Sequence, residues 1–278
     1  MMNIDEIISH TLMEDIGEGD HTTLSTVPAA AVKHARMIAK QAGILCGTEI
    51  VEKVFTTLDP HLTVDILRHD GDAILPGDVI LRVSGNARAI LTGERTALNF
   101  IQRMSGIATK THSLMKKVEG TNAKLLDTRK TTPLLRELEK YAVKCGGGDN
   151  HRFGLFDMIL IKDNHVDFAG SVKAAILSAN NYLETHGKPL QIEIEVRNFD
   201  ELREALQTGN IHRIMLDNFT PEQIRTALNI IAGKYPVEAS GGITEENIRQ
   251  YAETGVDYIS VGALTHHIKS LDISLLAD

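Results

Sequence analysis

The segment Asp127-Thr128-Arg129-Lys130 places two cations side by side at the end of a short apolar run. Successive side chains at a strand end point in different directions, so Arg129 and Lys130 would contact different parts of one ligand. A guanidinium can hold a carboxylate or a phosphate through two hydrogen bonds, whereas an ammonium acts as a point charge. The pattern predicts a site for a small anion.

A second cationic segment, Cys145–Arg152, contains three consecutive glycines and ends in His151 and Arg152. It matches neither a phosphate-binding Walker loop nor a dinucleotide fingerprint, and its cysteine and histidine are not spaced as zinc-finger ligands. We expect a flexible loop there. A histidine beside an arginine after three glycines favours a mobile contact to an anion over a purely structural role.

Polar residues follow several other apolar runs, namely Lys162, Asp163 and Asn164; Glu195; Asp217 and Asn218; Ser240, Gly241 and Gly242; and Gly262. Any one of them could be a strand-end cap or a surface charge. The set is harder to explain that way, because buried charges are costly unless they are paired or used. The glycines could serve tight turns, or could let backbone N–H groups hold a phosphate.

The elements that would position these residues recur every 20 to 35 residues. The pattern predicts strands at Lys124–Thr128, Met158–Asn164, Ile192–Val196, Ile211–Asn218, Val237–Gly242 and Tyr258–Gly262. Helices are predicted between them at Ser171–Asn180, Asp200–Gln207, Pro221–Ile231 and Glu245–Glu253. Such alternation favours a parallel sheet in a barrel or near-barrel, whose chemistry lies at the carboxyl ends of the strands.

The N-terminal part has a different pattern and predicts a smaller α/β domain. Its predicted elements are strands at Ala35–Ile44, Leu62–Leu67 and Val79–Ile90, a helix at Gly47–Thr57, and a long helix at Gly93–Val118 that leads into the barrel. We place the first domain at residues 1–105 and the barrel at 106–265. Residues 266–278 are expected to pack back on the first domain.

Charge and composition exclude several classes of function. The net charge of −8 and an aromatic content of 4% disfavour nucleic-acid binding. The sequence has no apolar run of membrane-spanning length and begins without a signal-peptide pattern. Two cysteines cannot form a disulfide framework, so we expect a cytoplasmic protein. Residues 88–152 nevertheless carry 13 Lys/Arg against 6 Asp/Glu, which fits a confined anion site, or helix faces rich in lysine.

Taken in order, the motifs resemble those of quinolinate phosphoribosyltransferase, also called nicotinate-nucleotide pyrophosphorylase (carboxylating), over essentially the whole chain. The matching segments are Glu18–Thr23, Gly93–Asn99, Asp127–Pro133, Cys145–Arg152, Leu160–His165, Glu238–Ile243 and Gly262–His266. The resemblance implies an N-terminal α/β sandwich and an incomplete α/β barrel of the type II phosphoribosyltransferase kind. It implies a head-to-tail homodimer with a shared active site, and it leaves a hexamer open.

The resemblance also implies a reaction in NAD biosynthesis: quinolinate, phosphoribosyl pyrophosphate and Mg²⁺ give nicotinate mononucleotide, pyrophosphate and CO₂. Lys130, Glu195 and Asp217 would be catalytic, and Glu195 and Asp217 would hold the metal, directly or through water. Substrate would be bound by Arg95 of the partner subunit and by Thr128, Arg129, His151, Arg152, Lys162, Ser240, Gly241, Gly242, Gly262 and Ala263.

Three alternatives stay open on the residues themselves. One is a paralogue of the same fold that acts on another aromatic carboxylate, such as the homologues associated with molybdenum transport. Another is a barrel aldolase in which Lys162 forms a Schiff base. The third is a sugar-phosphate binding protein without turnover, against which Glu195 and Asp217 beside the phosphate-binding glycines argue.

Overall fold

The computed structural model describes residues 3–278, and these residues form two compact units. The first unit comprises the chain up to His112, Thr131–Gly147 and Leu264–Asp278. The second comprises Ser113–Lys130 and Gly148–Ala263. Strand β12 (Ile273–Ala277) pairs antiparallel with β1 (Val32–Ala39) inside the first unit. The domain boundaries proposed from sequence, at residues 105 and 265, stay a prediction.

The first unit is built around an antiparallel sheet with the strand order β12-β1-β5-β3. Its remaining elements are α1 (Ile4–Ile16), α2 (His21–Thr26), β2 (Gly43–Ile44), α3 (Thr48–Leu58), β3 (Thr63–Ile66), β4 (Ala73–Ile74), β5 (Val79–Asn86), most of α4 (Ala87–Val118), α5 (Arg136–Cys145) and most of α11 (Ala263–His266). Strand β1 buries Ala35, Met37 and Ala39 and exposes Arg36, which is the period-two pattern of a sheet with one face on the core.

The second unit contains the six parallel strands that the sequence predicts, in the order β6-β11-β10-β9-β8-β7. The elements are β6 (Lys124–Leu126), β7 (Ile159–Ile161), α6 (Asp163–Ala169), α7 (Val172–His186), β8 (Ile192–Val196), α8 (Phe199–Thr208), β9 (Arg213–Asp217), α9 (Pro221–Ile231), β10 (Val237–Ser240), α10 (Ile248–Ala252) and β11 (Tyr258–Ser260). Strands and helices alternate, and the α/β class with an open barrel is confirmed.

Several predicted boundaries are wrong, and two of them have a clear local reason. The strand predicted to reach Ile90 ends at Asn86, because the Asn86 side chain accepts hydrogen bonds from the N–H groups of Arg88 and Ala89 and starts α4 there. The helix predicted at Glu245–Glu253 spans only Ile248–Ala252. Before it, the side chain of Asn247 closes a turn with Thr244 N–H and Gly242 C=O.

Among residues 3–278, no helix combines the length and the apolar character needed to cross a lipid bilayer. Cys46 and Cys145 are both free thiols.

Candidate functional site

The carboxyl ends of β7 and β8 bring Lys162 and Glu195 together. Lys162 directly follows β7, and its Nζ lies 3.3 Å from Oε2 of Glu195, the fourth residue of β8. The lysine side chain is half exposed, whereas the glutamate is buried. A buried carboxylate is therefore held beside a cation that solvent, or a ligand, can reach.

Asp217 ends the neighbouring strand β9 and lies in the field of the same cations. Burial raises the pKa of its carboxyl group, while Lys162, a hydrogen bond from Asn218 and Lys130 act in the opposite direction. The Asn218 amide Nδ2 donates to Oδ2 of Asp217 over 2.6 Å. Lys130, Lys162 and Asp217 thus share one electrostatic environment, as expected of parallel strand ends.

The next strand end, on β10, requires glycine. Ser240 is paired in register with Asp217, and its C=O accepts the Asn218 N–H at 2.8 Å. Gly241 follows with φ +85°, and a Cβ atom there would collide with the side chain and backbone nitrogen of Asn218. Gly242 also has a positive φ of +62°. Only glycine allows this backbone to turn so close to β9.

The charges of Arg129 and Arg152 act on each other. Burial and the positive charge of Arg129 lower the pKa of Arg152. The Arg152 side chain is half-buried, and its Nη1 donates to the C=O of Met158 at 3.2 Å. Two guanidinium charges that repel each other favour an anion that both can reach.

The segment before Arg152 is hydrogen-bonded to β6, whereas the sequence predicts a flexible loop there. Asp149 continues the sheet beside Leu126, and its N–H donates to the C=O of Leu125 at 2.8 Å. The His151 N–H then donates to the buried carboxylate of Asp127 at 2.9 Å. Asp127 therefore fixes the approach of His151 and Arg152 to the strand ends.

The His151 ring is buried rather than extended into solvent. Its Nε2 lies 3.0 Å from Oε2 of Glu193 and 3.5 Å from Oε2 of Glu238. Whether the ring also touches a ligand stays a prediction.

Sequence reasoning missed Glu193, Arg213 and Glu238, which lie inside the sheet. A signal was present in Ile192–Val196, where two glutamates alternate with apolar residues although every residue of that strand is buried. Their partners come from strands and loops distant in sequence, which a pattern within one strand cannot supply.

The remaining predicted site residues lie at other strand ends or in the other unit. The Thr128 hydroxyl accepts the Lys130 N–H at 3.0 Å and so shapes the turn after β6. Gly262 and Ala263 follow β11, the strand between β6 and β10. Arg95 is exposed on α4 in the first unit.

Glu195 and Asp217 form a donor set that suits a hard divalent cation. Both offer carboxylate oxygens from the carboxyl ends of neighbouring strands, the ligand type that Mg²⁺ prefers while it keeps several waters. The residues fit Mg²⁺, bound directly or through water.

Comparison with known proteins covers almost the entire chain. Residues 20–105 match the model of the quinolinate phosphoribosyl transferase N-terminal domain, and residues 107–276 match that of the C-terminal domain. A probable nicotinate-nucleotide pyrophosphorylase (carboxylating) of Bacillus subtilis is 43% identical over 274 residues, spanning 99% of this chain and 93% of the relative. A mitochondrial quinolinate phosphoribosyltransferase (decarboxylating) of Nicotiana glauca is 42% identical, spanning 99% and 82%.

Solved structures agree with the sequence relatives. The nicotinate-nucleotide pyrophosphorylase of Francisella tularensis has a TM-score of 0.93 and 42% identity and covers 99% of this chain and 96% of its own. NadC of Streptococcus pyogenes has a TM-score of 0.93 and 40% identity, with coverage of 98% and 95%.

Proposed function

We propose an activity from a premise that the comparisons establish: the chain belongs to the quinolinate phosphoribosyltransferase family. It converts quinolinate and phosphoribosyl pyrophosphate to nicotinate mononucleotide, pyrophosphate and CO₂, a step of NAD biosynthesis. Family membership favours this activity over two of the alternatives, a barrel aldolase and a sugar-phosphate binding protein without turnover. A homodimer, a requirement for Mg²⁺ and a cytoplasmic location are further parts of the proposal.

The observation that carries the proposal is the electrostatic interaction between Arg129 and Arg152, together with the group formed by Lys162, Glu195 and Asp217. Quinolinate carries two adjacent carboxylates, and two guanidinium groups can bind them through paired hydrogen bonds. The ribosyl donor carries a 5′-phosphate, hydroxyl groups and a pyrophosphate. Backbone N–H groups at Gly241 and Gly242 suit the phosphate, and Glu195 and Asp217 suit the hydroxyl groups.

The first chemical step exchanges one bond at the anomeric carbon of the ribose. The bond from this carbon to the pyrophosphate oxygen breaks, and the ring nitrogen of quinolinate supplies the electron pair of the new bond. Positive charge builds on the sugar, where the carboxylates of Glu195 and Asp217 stabilise it, and negative charge builds on pyrophosphate near Lys130. Mg²⁺, when bound, neutralises part of the pyrophosphate charge.

Loss of CO₂ follows from the charge that this transfer creates. Once the ring nitrogen carries ribose it is positive. When CO₂ departs, the electron pair of the carbon–carboxylate bond stays on the adjacent carbon, where the positive nitrogen stabilises it until that carbon takes a proton. Because this charge stabilises the developing carbanion, no dedicated acid is needed to break the bond.

The direct test is product formation. Purified protein with quinolinate, phosphoribosyl pyrophosphate and Mg²⁺ should release nicotinate mononucleotide and CO₂ in equal amounts. Replacing quinolinate by other aromatic carboxylates separates this activity from that of a paralogue. Folded protein that binds both substrates and forms neither product would refute the assignment.

The shared site has its own test, through hybrid dimers. Arg95→Ala and Lys130→Ala should each be nearly inactive alone, because each removes one cation from every site. Mixed subunits should regain part of the activity, since a hybrid dimer contains one intact site. No recovery, with hybrid dimers shown to form, would count against an Arg95 that reaches the partner's site.

A further inference from the structure

A buried ionic cluster lies inside the open barrel, formed by His151, Glu193, Arg213 and Glu238. Glu193 and Glu238 are 0% exposed, and His151 is 8% exposed. Nη1 of Arg213 lies 3.0 Å from Oε2 of Glu238 and 3.9 Å from Oε2 of Glu193. The Arg213 guanidinium also lies 4.1 Å from the ring centre of Tyr258. Burying four ionisable groups is costly, and a hydrophobic core would be cheaper.

The cluster lies directly beneath the candidate site. Side chains two residues apart on a strand share a face. Glu193 precedes Glu195 by two residues on β8, and Glu238 precedes Ser240 by two residues on β10. Each cluster carboxylate is therefore one step below a predicted site residue on the same inner column of the sheet.

The hydrogen bonds of His151 determine which ring nitrogen carries the proton. The Arg152 N–H donates to Nδ1 of His151 at 2.7 Å, which requires a lone pair on that atom. Burial lowers the pKa of His151, but the carboxylates of Glu193 and Glu238 beside Nε2 outweigh it and raise the pKa to about 9. The Arg152 N–H opposes that second proton, because a proton on Nδ1 would face it directly. On this geometry we assign the neutral ring with its proton on Nε2.

We propose that Glu193 and Glu238 are positioning residues for the quinolinate-binding cations, acting through the ring of His151. Their carboxylate oxygens lie 3.0 and 3.5 Å from Nε2, and this contact holds the ring so that Nδ1 faces the Arg152 N–H. The inference deepens the proposed function and rests on it.

The proposal predicts a selective defect. Glu193→Ala removes the carboxylate 3.0 Å from Nε2 of His151, so the quinolinate KM should rise at least about tenfold. The KM for phosphoribosyl pyrophosphate should stay within about twofold, because its predicted contacts lie on other strand ends. Glu193→Gln keeps an acceptor oxygen and should restore most of the quinolinate affinity. A purely structural role would instead reduce the fraction of active enzyme and leave both KM values unchanged.

A matched control is available on the adjacent helix. Glu201 of α8 is a largely buried carboxylate that holds Arg197 at 2.6 Å and lies outside the cluster. Glu201→Ala should leave both KM values unchanged.

Nitrogen-15 NMR of the histidine rings gives a readout that does not depend on turnover. The wild type and Glu193→Gln should show a neutral His151 with the proton on Nε2, assigned by comparison with His151→Gln. A doubly protonated ring, or equal KM changes for both substrates, would overturn the proposal. If Glu193→Ala does not fold, Glu193→Gln serves as the test instead. It should show a neutral His151 ring and a quinolinate KM close to that of the wild type. If the wild type makes no product, the activity assignment fails, while the ring assignment is still tested.

Discussion

Two clusters in this chain each contain carboxylates and use them differently. In the first unit, Cys46, Asp70 and Cys145 place their ligand atoms within 4.8 Å of one another. The Asp70 carboxylate accepts the N–H groups of Gly47 and Thr48 at 2.8 and 3.0 Å and the Thr48 hydroxyl at 2.8 Å. Asp70 therefore supplies acceptors for the N–H groups at the beginning of α3, and its negative charge interacts favourably with the helix dipole.

In the second unit, Glu193 and Glu238 face an imidazole and a guanidinium from other elements. Their partners are side chains one layer below strand ends, whereas those of Asp70 are mainly backbone groups. The comparison indicates that the partners of a carboxylate tell whether it serves the fold or the site.

The largest expected effect concerns Asp70. Asp70→Ala leaves two N–H groups and a hydroxyl at α3 without their acceptor, so the free energy of unfolding should fall by about 2–4 kcal/mol. Chemical denaturation measures this loss, and KM values of the folded fraction should not change. Asp65→Ala, at an exposed position of the same unit, should cost less than about 0.5 kcal/mol. A selective change in quinolinate KM for Asp70→Ala would break the comparison.

A smaller effect should appear in the pH dependence of stability. Burial and the charge of Glu238 raise the pKa of Glu193 to about 7, from an ordinary value of 4.5. The folded state then holds a proton that the unfolded state has lost, so stability should fall as pH rises from about 4.5 to 7. Glu238, His151, Arg213 and Arg152 are the charged or titratable groups that act on Glu193.

Glu193→Gln should flatten this part of the stability curve, by an amount on the order of 2 kcal/mol. Denaturation at several pH values measures the slope. The same slope in wild type and Glu193→Gln would show that Glu193 does not titrate in this range.

The smallest effect is expected for the thiol of the first cluster. Cys46 is anchored through its backbone, since its N–H donates to Oγ of Ser105 at 2.9 Å and its C=O accepts from the same hydroxyl at 3.2 Å. Cys46→Ala keeps these bonds and should cost about 1 kcal/mol for the lost sulfur contacts. Ser105→Ala should lower the free energy of unfolding by more, because it leaves the buried N–H and C=O of Cys46 without their hydrogen-bond partner. The reverse order would assign the Cys46 thiol a structural role of its own.

Local sequence patterns predict one unit better than the other. The sequence predicts all six parallel strands, and β8 matches residue for residue, because apolar runs with polar strand ends are visible locally. Helix α5 is not predicted, although its first turn carries Glu137 and Glu139. It comes after Leu134 at φ +67°, a backbone conformation that no local pattern indicates.

The site divides in the same way. Lys162, Glu195 and Asp217 are recognisable from sequence because each lies at or next to the end of a predicted strand. The contacts of Glu193 and Glu238 with His151 exist only in the fold, where β8, β10 and the segment after Gly148 come together. Sequence spacing does not predict those contacts.

The most direct test of the account traces each carboxylate of quinolinate separately. Nicotinate keeps the carboxylate that is not adjacent to the ring nitrogen. With carbon-13 in the carboxylate next to the nitrogen, all label should appear as CO₂, and only when phosphoribosyl pyrophosphate is present. With the label in the other carboxylate, all of it should remain in the nucleotide. Release of label without the donor, or a nucleotide that retains both carboxylates, would contradict the account.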